Sequence, residues 1–315
     1  MDFHVTTPPT SSGKNLVEVL FENDGFLTRK AKSDAPFWYT SNEPGPFYIT
    51  SHRVVGQELA DHLLAHITQA MKGDEKEAIE SIAAEVEARL KDNDHFRRII
   101  EQMAANCAEL GYDFSTSPIS GGERKDWIFS YPLALTVGCK HYWLTKSHNC
   151  YDLVDGKAVD IAHGGDSVYH VTDIIHKGAS FVDSWLPALG KSGLSLNRTL
   201  SVFCRSEIGK DRLTKEGIAF DILRDFDMSN IRAVRDAGLI SAEICDDIDL
   251  FFTDRGDWMR SFIDTVDVDA VARQVGSSDT QRIVTFVDTD PYDLKSHAAG
   301  RFQDLAEAVQ KAQSA

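Results

Sequence analysis

Long apolar runs are missing from this 315-residue chain. Nowhere do about eighteen apolar residues follow one another, the length that a membrane-spanning helix needs. Positive charge is short as well, with 33 Lys and Arg against 49 Asp and Glu and a formal net charge of −16. The chain therefore has no general attraction for nucleic-acid backbones or anionic lipid, and no local basic patch offsets the deficit. The five cysteines, Cys107, Cys139, Cys150, Cys204 and Cys245, are scattered with no C-x-x-C pair and no metal-finger spacing. They are expected to be reduced thiols, neither a disulfide framework nor a metal set. The first residues, MDFHVTTPPTSSGKN, lack the charged-then-apolar pattern of a secretory signal, which points to the cytoplasm. H-E-x-x-H, G-x-S-x-G and G-x-G-x-x-G are all absent. Gly190-Lys191-Ser192 is no P-loop, because Trp185 stands where the earlier glycine is required and the tripeptide follows a predicted helix.

With 42% hydrophobic residues, the chain can build a proper core as one large domain or two modest ones. Residues 1–14 are expected to be a flexible leader. A short amphipathic helix follows from Leu16 to about Asp24-Gly25, then an aromatic segment, Phe37-Trp38-Tyr39 and Phe47-Tyr48-Ile49, around a Pro/Gly turn at Asn42–Pro46. Val54 to Gly111 has a helical pattern, and the acidic stretch Asp74–Glu87 within it suits a solvated helix face. From Phe114 onward, strand candidates at His141–Leu144, Ser167–Ile175, Leu200–Cys204 and Ile218–Leu223 alternate with helices at Trp127–Gly138, Phe181–Leu189 and Lys210–Glu216. This alternation predicts an α/β core with a parallel sheet. Beyond about Phe226, helices are expected at Ile231–Ala237, Ala242–Phe252, Asp257–Val266 and Leu294–Gln310, with one strand at Arg282–Val287.

Three segments could carry chemistry. In SVYHVTDIIHKGAS (Ser167–Ser180) an apolar strand runs to Asp173 and then into a small-residue loop before a helix. Ligands of parallel sheets bind where strand ends meet helix starts. His176, Lys177, Gly178, Ala179 and Ser180 would offer backbone N–H groups as an anion cradle. An ordinary strand-to-helix connection with a capping Ser180 is the plainer alternative. In ISGGERKD, Ser120, Gly121, Gly122, Glu123 and Arg124 form a second such junction, able to hold a diphosphate through main-chain N–H groups and the Arg124 fork. In SVFCRSEIG, Arg205 ends a third strand, facing either a planar anionic ligand or a structural partner such as Glu207 or Asp221. His163, His170 and His176 lie near the first loop without metal spacing.

Taken in order, these segments resemble the type I phosphoribosyltransferases, the orotate enzymes in particular, over about residues 15–230. Asn15–Tyr48 is similar to the N-terminal helix and aromatic hood of that family. ISGGERKDWIFSYPLALTVGCKHYWLTK is similar to its diphosphate loop, helix and Lys-ending strand, VTDIIHKGAS to its hallmark strand and phosphate loop, and SVFCRSEIGKDRLTKEGIAFDILRDFD to its next strand, turn, helix and strand. The resemblance implies a Rossmann-like parallel sheet over 15–230 and a mainly helical C-terminal extension over 231–315. It also implies transfer of ribose 5-phosphate from 5-phosphoribosyl diphosphate to a nucleobase, with Mg²⁺ bound mainly through the diphosphate, in a cytoplasmic homodimer. On that basis Asp173, Lys146 and Arg124 are the candidate catalytic residues. Residues 120–124 and 176–180 would hold the phosphates, and Arg205 with Phe47 would contact the base.

Several positions depart from the family pattern. Thr172 replaces the first acid of the hallmark pair, removing a carboxylate expected at the ribose hydroxyls. His176 and Lys177 replace threonines, and Ala179 replaces a glycine. Glu43 and Pro44 stand where the family carries basic residues. After Lys146, Ser147–Gly156 replaces a mobile lid rich in Lys, His and Gly. An active transferase favouring an acidic pyrimidine, a regulatory protein that binds a phosphoribosyl ligand with little turnover, and a structural module with vestigial loops are the readings this leaves open.

Overall fold

The computed structural model describes residues 16–161 and 165–314, and the chain divides into two compact units. The first comprises residues 16–25 and 50–227 of the described chain. Its seven-stranded sheet contains β1 (Ile119–Gly122), β2 (His141–Leu144), β3 (Cys150–Val154), β4 (Lys157–Asp160), β5 (Ser167–Ile175), β6 (Ser195–Cys204) and β7 (Ala219–Asp225). The strand order is β7-β6-β5-β1-β2-β3-β4. The first five strands of that order are parallel, and β3 and β4 add an antiparallel edge. In the register, Ser120 lies opposite both His170 and Tyr142, and Thr172 opposite Ser201. The α/β fold class is therefore as expected, with β5 nearly continuously buried, as a central strand covered on both faces must be.

The helices of this unit are α1 (Leu16–Glu22), α2 (Gln57–Ala70), α3 (Glu75–Asp92), α4 (Asp94–Glu109), α5 (Trp127–Val137), α6 (Leu186–Lys191) and α7 (Glu207–Lys215). The Asp74 carboxylate accepts from two amides of the first turn of α3, and the Asn93 side chain accepts from Phe96 N–H at α4, so each satisfies donors that the helix leaves open. Helix α5 is apolar almost all round, buries Trp127, Ile128, Phe129 and Leu133, and stops at Gly138 in the left-handed region. The predicted helix Phe181–Leu189 is instead a π turn over Phe181–Trp185 that continues into α6, past the predicted stop at Gly190.

The segment after Lys146 forms the β3–β4 hairpin, closed by Asp155-Gly156 with φ of 50° and 75° at the turn. Positive φ at both centres is the type I′ geometry that matches strand twist. Burial would raise the pKa of Glu75, but side-chain hydrogen bonds from Asn149, Ser147, Tyr151 and Thr145 hold the carboxylate below its ordinary value. One helix-start acid thus fixes the whole entry to the hairpin. No helix among the described residues is long and apolar enough to cross a membrane, and all five cysteines are free thiols.

The second unit takes residues 26–49 together with 228–314, so the predicted extension starting at 231 begins slightly earlier and includes the aromatic segment. Phe26–Thr28 pairs with Phe47–Ile49, and Phe37–Trp38 with Pro44–Gly45, both antiparallel. The remainder is α8 (Met228–Asp236), α9 (Ala242–Thr253), α10 (Arg255–Thr265), α11 (Val268–Ala272), α12 (Thr280–Thr289), α13 (Leu294–His297) and α14 (Ala299–Gln313). The predicted strand Arg282–Val287 is a correction, because it lies inside α12. Ile283, Phe286 and Val287 are its buried residues, a helical spacing that a short apolar run does not reveal. The core of this unit closes around a buried ion pair, with Arg29 Nη2 at 2.5 Å from Asp247 Oδ2. Trp258 Nε1 donates to the other Asp247 oxygen at 3.0 Å, and its ring lies 5.2 Å from the Arg29 guanidinium.

Removing one partner of such a pair strands a buried charge. Asp247→Ala is expected to lower unfolding free energy by about 3–5 kcal/mol in urea denaturation; a loss below about 1 kcal/mol, the size of a surface pair, contradicts this role for the pair.

Candidate functional site

Because β1, β5 and β6 are parallel, their carboxyl ends at Gly122, Ile175 and Cys204 share one edge of the sheet. The β1–α5 junction is packed too tightly for side chains. A Cβ on Gly121 would lie 2.0 Å from Ser130 Oγ, and one on Gly122 would lie 2.2 Å from the Trp185 indole. Glycine is therefore demanded here by close approach. The Glu123–Arg124 peptide is cis. Ser120 is fully buried, and its hydroxyl is 3.0 Å from His170 Nδ1. Arg124 is half-buried and donates to Thr68 Oγ1 on α2 at 3.1 Å, while a Glu123 oxygen accepts the Lys146 N–H at 3.1 Å. The Lys146 side chain is exposed.

Asp126, the last residue of this junction, ties it to the end of β5. Its Oδ1 accepts from Thr172 Oγ1 at 3.0 Å and from Asp173 N–H at 2.9 Å, and its Oδ2 accepts from Gly122 N–H at 3.2 Å. Asp173 is itself buried and accepts a 2.5 Å hydrogen bond from Ser51 Oγ, on the 3₁₀ helix Ser51–Val55. Burial, and then the facing Asp126 carboxylate, push the Asp173 carboxyl well above the usual range; Lys125 and Ser51 act in the opposite direction. Next to Ser51, His52 is 1% exposed and neither ring nitrogen has a hydrogen-bond partner. Burial, then nearby Lys125, lowers its pKa to about 3, so the ring is neutral.

The loop 176–180 follows β5 directly. Gly178 adopts φ of +65°, a conformation that favours glycine, and Lys177, Ala179 and Ser180 are exposed. His176 is half-buried, with the Arg205 Nη2 at 3.1 Å from its Nδ1. Arg205 therefore reaches the 176–180 loop itself, and its N–H donates to Ile175 C=O.

The first unit thus brings together Asp173, residues 120–124, loop 176–180 and Arg205. Phe47 belongs to the second unit. There it is buried, stacked on Phe26 at 5.3 Å and edge-on to Phe251 at 5.7 Å, as a core residue is. Glu43 is also held within that unit, by Arg255 at 3.3 Å and the Tyr292 hydroxyl at 3.0 Å. His163 lies outside the described residues. Sequence reasoning noted Lys125 as a cation next to Arg124 without giving it a role, and missed Asp126, Ser51 and His52. The available signal was the acid directly before an aromatic-rich helix start, an ordinary cap position. Among the described residues, no three His, Cys, Asp or Glu side chains converge as a metal cage.

No protein-family model and no curated protein matches the chain. Solved structures do. The Leishmania donovani UMP synthase is 14% identical, with 75% of this chain covered and a TM-score of 0.48, and the chain spans 41% of that protein's length. The orotate phosphoribosyltransferase of Francisella tularensis is 12% identical over 75% of this chain and 96% of its own, with a TM-score of 0.45. That of Aeropyrum pernix is 16% identical over 72% and 99%, with a TM-score of 0.42.

A carboxyl whose pKa is raised on folding contributes stability at pH below its unfolded value of about 3.9, and that contribution is lost as the pH rises through the folded value. Asp173→Asn is therefore expected to raise Tm relative to the wild type at pH 8, with the gain shrinking toward pH 4. Equal Tm differences at both pH values contradict the assignment.

Proposed function

We propose that the first unit binds 5-phosphoribosyl diphosphate at the carboxyl edge of its sheet and transfers ribose 5-phosphate to a nucleobase, releasing diphosphate. The observation that carries this reading is the Asp126 carboxylate, which joins the Gly122 amide of one anion-ready junction to Thr172 and Asp173 of the other. Two phosphate cradles held side by side suit a ligand with phosphate at both ends. In the transfer, the C1–oxygen bond to diphosphate breaks as the C1–nitrogen bond to the base forms, through an oxocarbenium-like state.

In this reading the 176–180 amides hold the 5-phosphate, with Lys177 as the exposed cation beside them. Lys125, Arg124 and Lys146 face the departing diphosphate, where cations stabilise developing charge. Asp173 faces the ribose, and Arg205, the cation next to the loop, favours an orotate-like acidic pyrimidine. Asp126 and Asp173 already accept hydrogen bonds from protein donors. This donor set fits Mg²⁺ carried by the diphosphate oxygens, where the ion would neutralise leaving-group charge. A twofold homodimer belongs to the same proposal.

A second reading, ligand binding with little turnover, is favoured by specific contacts. Ser120 and Arg124 are turned to His170 and Thr68, and Thr172 lacks a carboxylate. Calorimetric titration with 5-phosphoribosyl diphosphate and Mg²⁺, followed by diphosphate release across orotate, uracil and purine bases, separates the readings. Binding with base-dependent release is expected. Binding without release supports the second reading, and no binding removes both. In the same titration Lys177→Ala is expected to weaken binding by about 1–3 kcal/mol, the worth of a charge-assisted hydrogen bond.

A further inference from the structure

We infer that Asp126 takes over the place of the carboxylate that Thr172 does not supply, so that the acid pair of this site is built from a helix start and a strand. The inference rests on the phosphoribosyl reading and deepens it.

Thr172 is one atom too short and carries no charge, yet its hydroxyl is turned to Asp126 Oδ1 at 3.0 Å. The same oxygen accepts the Asp173 amide at 2.9 Å, so the Asp126 carboxylate sits against the backbone and side chain of the two residues where a pair of adjacent acids would stand. Asp126 is 5% exposed and Asp173 8%, which makes this a buried pair of carboxylates. Two buried like charges at this range cannot both ionise at low cost. The charged and titratable groups around them are Lys125 at the junction, His52 on the 3₁₀ helix, and His170 on β5, whose Nε2 is 3.7 Å from Asp126 Oδ2. The Nε2 of His170 has no hydrogen-bond partner. Lys125 is thus the adjacent cation available to balance the pair.

The geometry also explains why the acid can move. Asp126 heads α5, which packs along β5, so a carboxylate leaving the strand at position 172 is replaced by one approaching from the facing helix start. With three protein donors on its oxygens, Asp126 acts as a positioning residue. It fixes Asp173 and the Gly122 amide and holds a second carboxyl group beside Asp173.

The test is a relocation of the acid. Ligand affinity is measured calorimetrically with 5-phosphoribosyl diphosphate and Mg²⁺ for wild type, Asp126→Asn, Thr172→Asp and the double variant, with Tm recorded for each. Asp126→Asn is expected to weaken binding about tenfold or more, because Gly122, Thr172 and Asp173 lose the charged acceptor that positions them. Thr172→Asp alone, which crowds three carboxylates, should weaken it too. The double variant should recover to within about threefold of the wild type, because it only moves the charge back to the strand. A purely structural Asp126 would be reflected in Tm and would gain nothing from an acid at 172. Wild-type-like binding by Asp126→Asn, or a double variant no better than Asp126→Asn, overturns the inference while leaving the phosphoribosyl reading intact. Absence of binding by the wild type overturns both.

Discussion

The carboxylate of Asp126 is the constraint on which the first unit depends. A buried charge must have its lone pairs met or it costs several kcal/mol. Here they are met by the Gly122 amide, the Thr172 hydroxyl and the Asp173 amide. Those donors belong to the ends of neighbouring strands β1 and β5, so satisfying one side chain sets the spacing of two loops. The tight glycines serve the same end. With Ser130 and the Trp185 indole pressed against Gly121 and Gly122, the junction has little freedom to drift from its partner.

Elsewhere single acids do comparable work. Glu75 gathers four side chains at the mouth of the β3–β4 hairpin, so a segment of mostly polar residues is ordered without a core of its own. In the second unit, Asp247 joins Arg29, which precedes the aromatic segment, to Trp258 of α10. That contact draws residues 26–49 into a unit whose other members lie at the far end of the chain, and neither partner is near the other in sequence.

What was legible in the sequence follows from this. The β-branched and aromatic run Ser167–Ile175 and the largely apolar helix after Asp126 announce a covered sheet, because their burial is a local property. Hairpin residues Cys150–Asp160 did not announce themselves, since Asp152, Lys157 and Asp160 interrupt the alternation and Glu75 supplies the order from outside. Arg282–Val287 misled because a six-residue segment rich in β-branched residues has no period long enough to separate helix from strand. In the candidate site, Asp173 and the 176–180 loop were legible from the strand-loop-helix pattern. The partners Ser51, His52 and Asp126 were not, because their proximity is created only when distant segments pack. Phe47 was drawn toward the base by resemblance, yet its aromatic neighbours make it part of another core.

The claim that one carboxylate couples the β1–α5 junction to the end of β5 has a direct readout in amide hydrogen exchange, followed with and without 5-phosphoribosyl diphosphate and Mg²⁺. The account predicts that residues 120–126 and 172–180 gain protection together and over the same ligand concentrations. Protection confined to one of the two segments, or none in either, would contradict it.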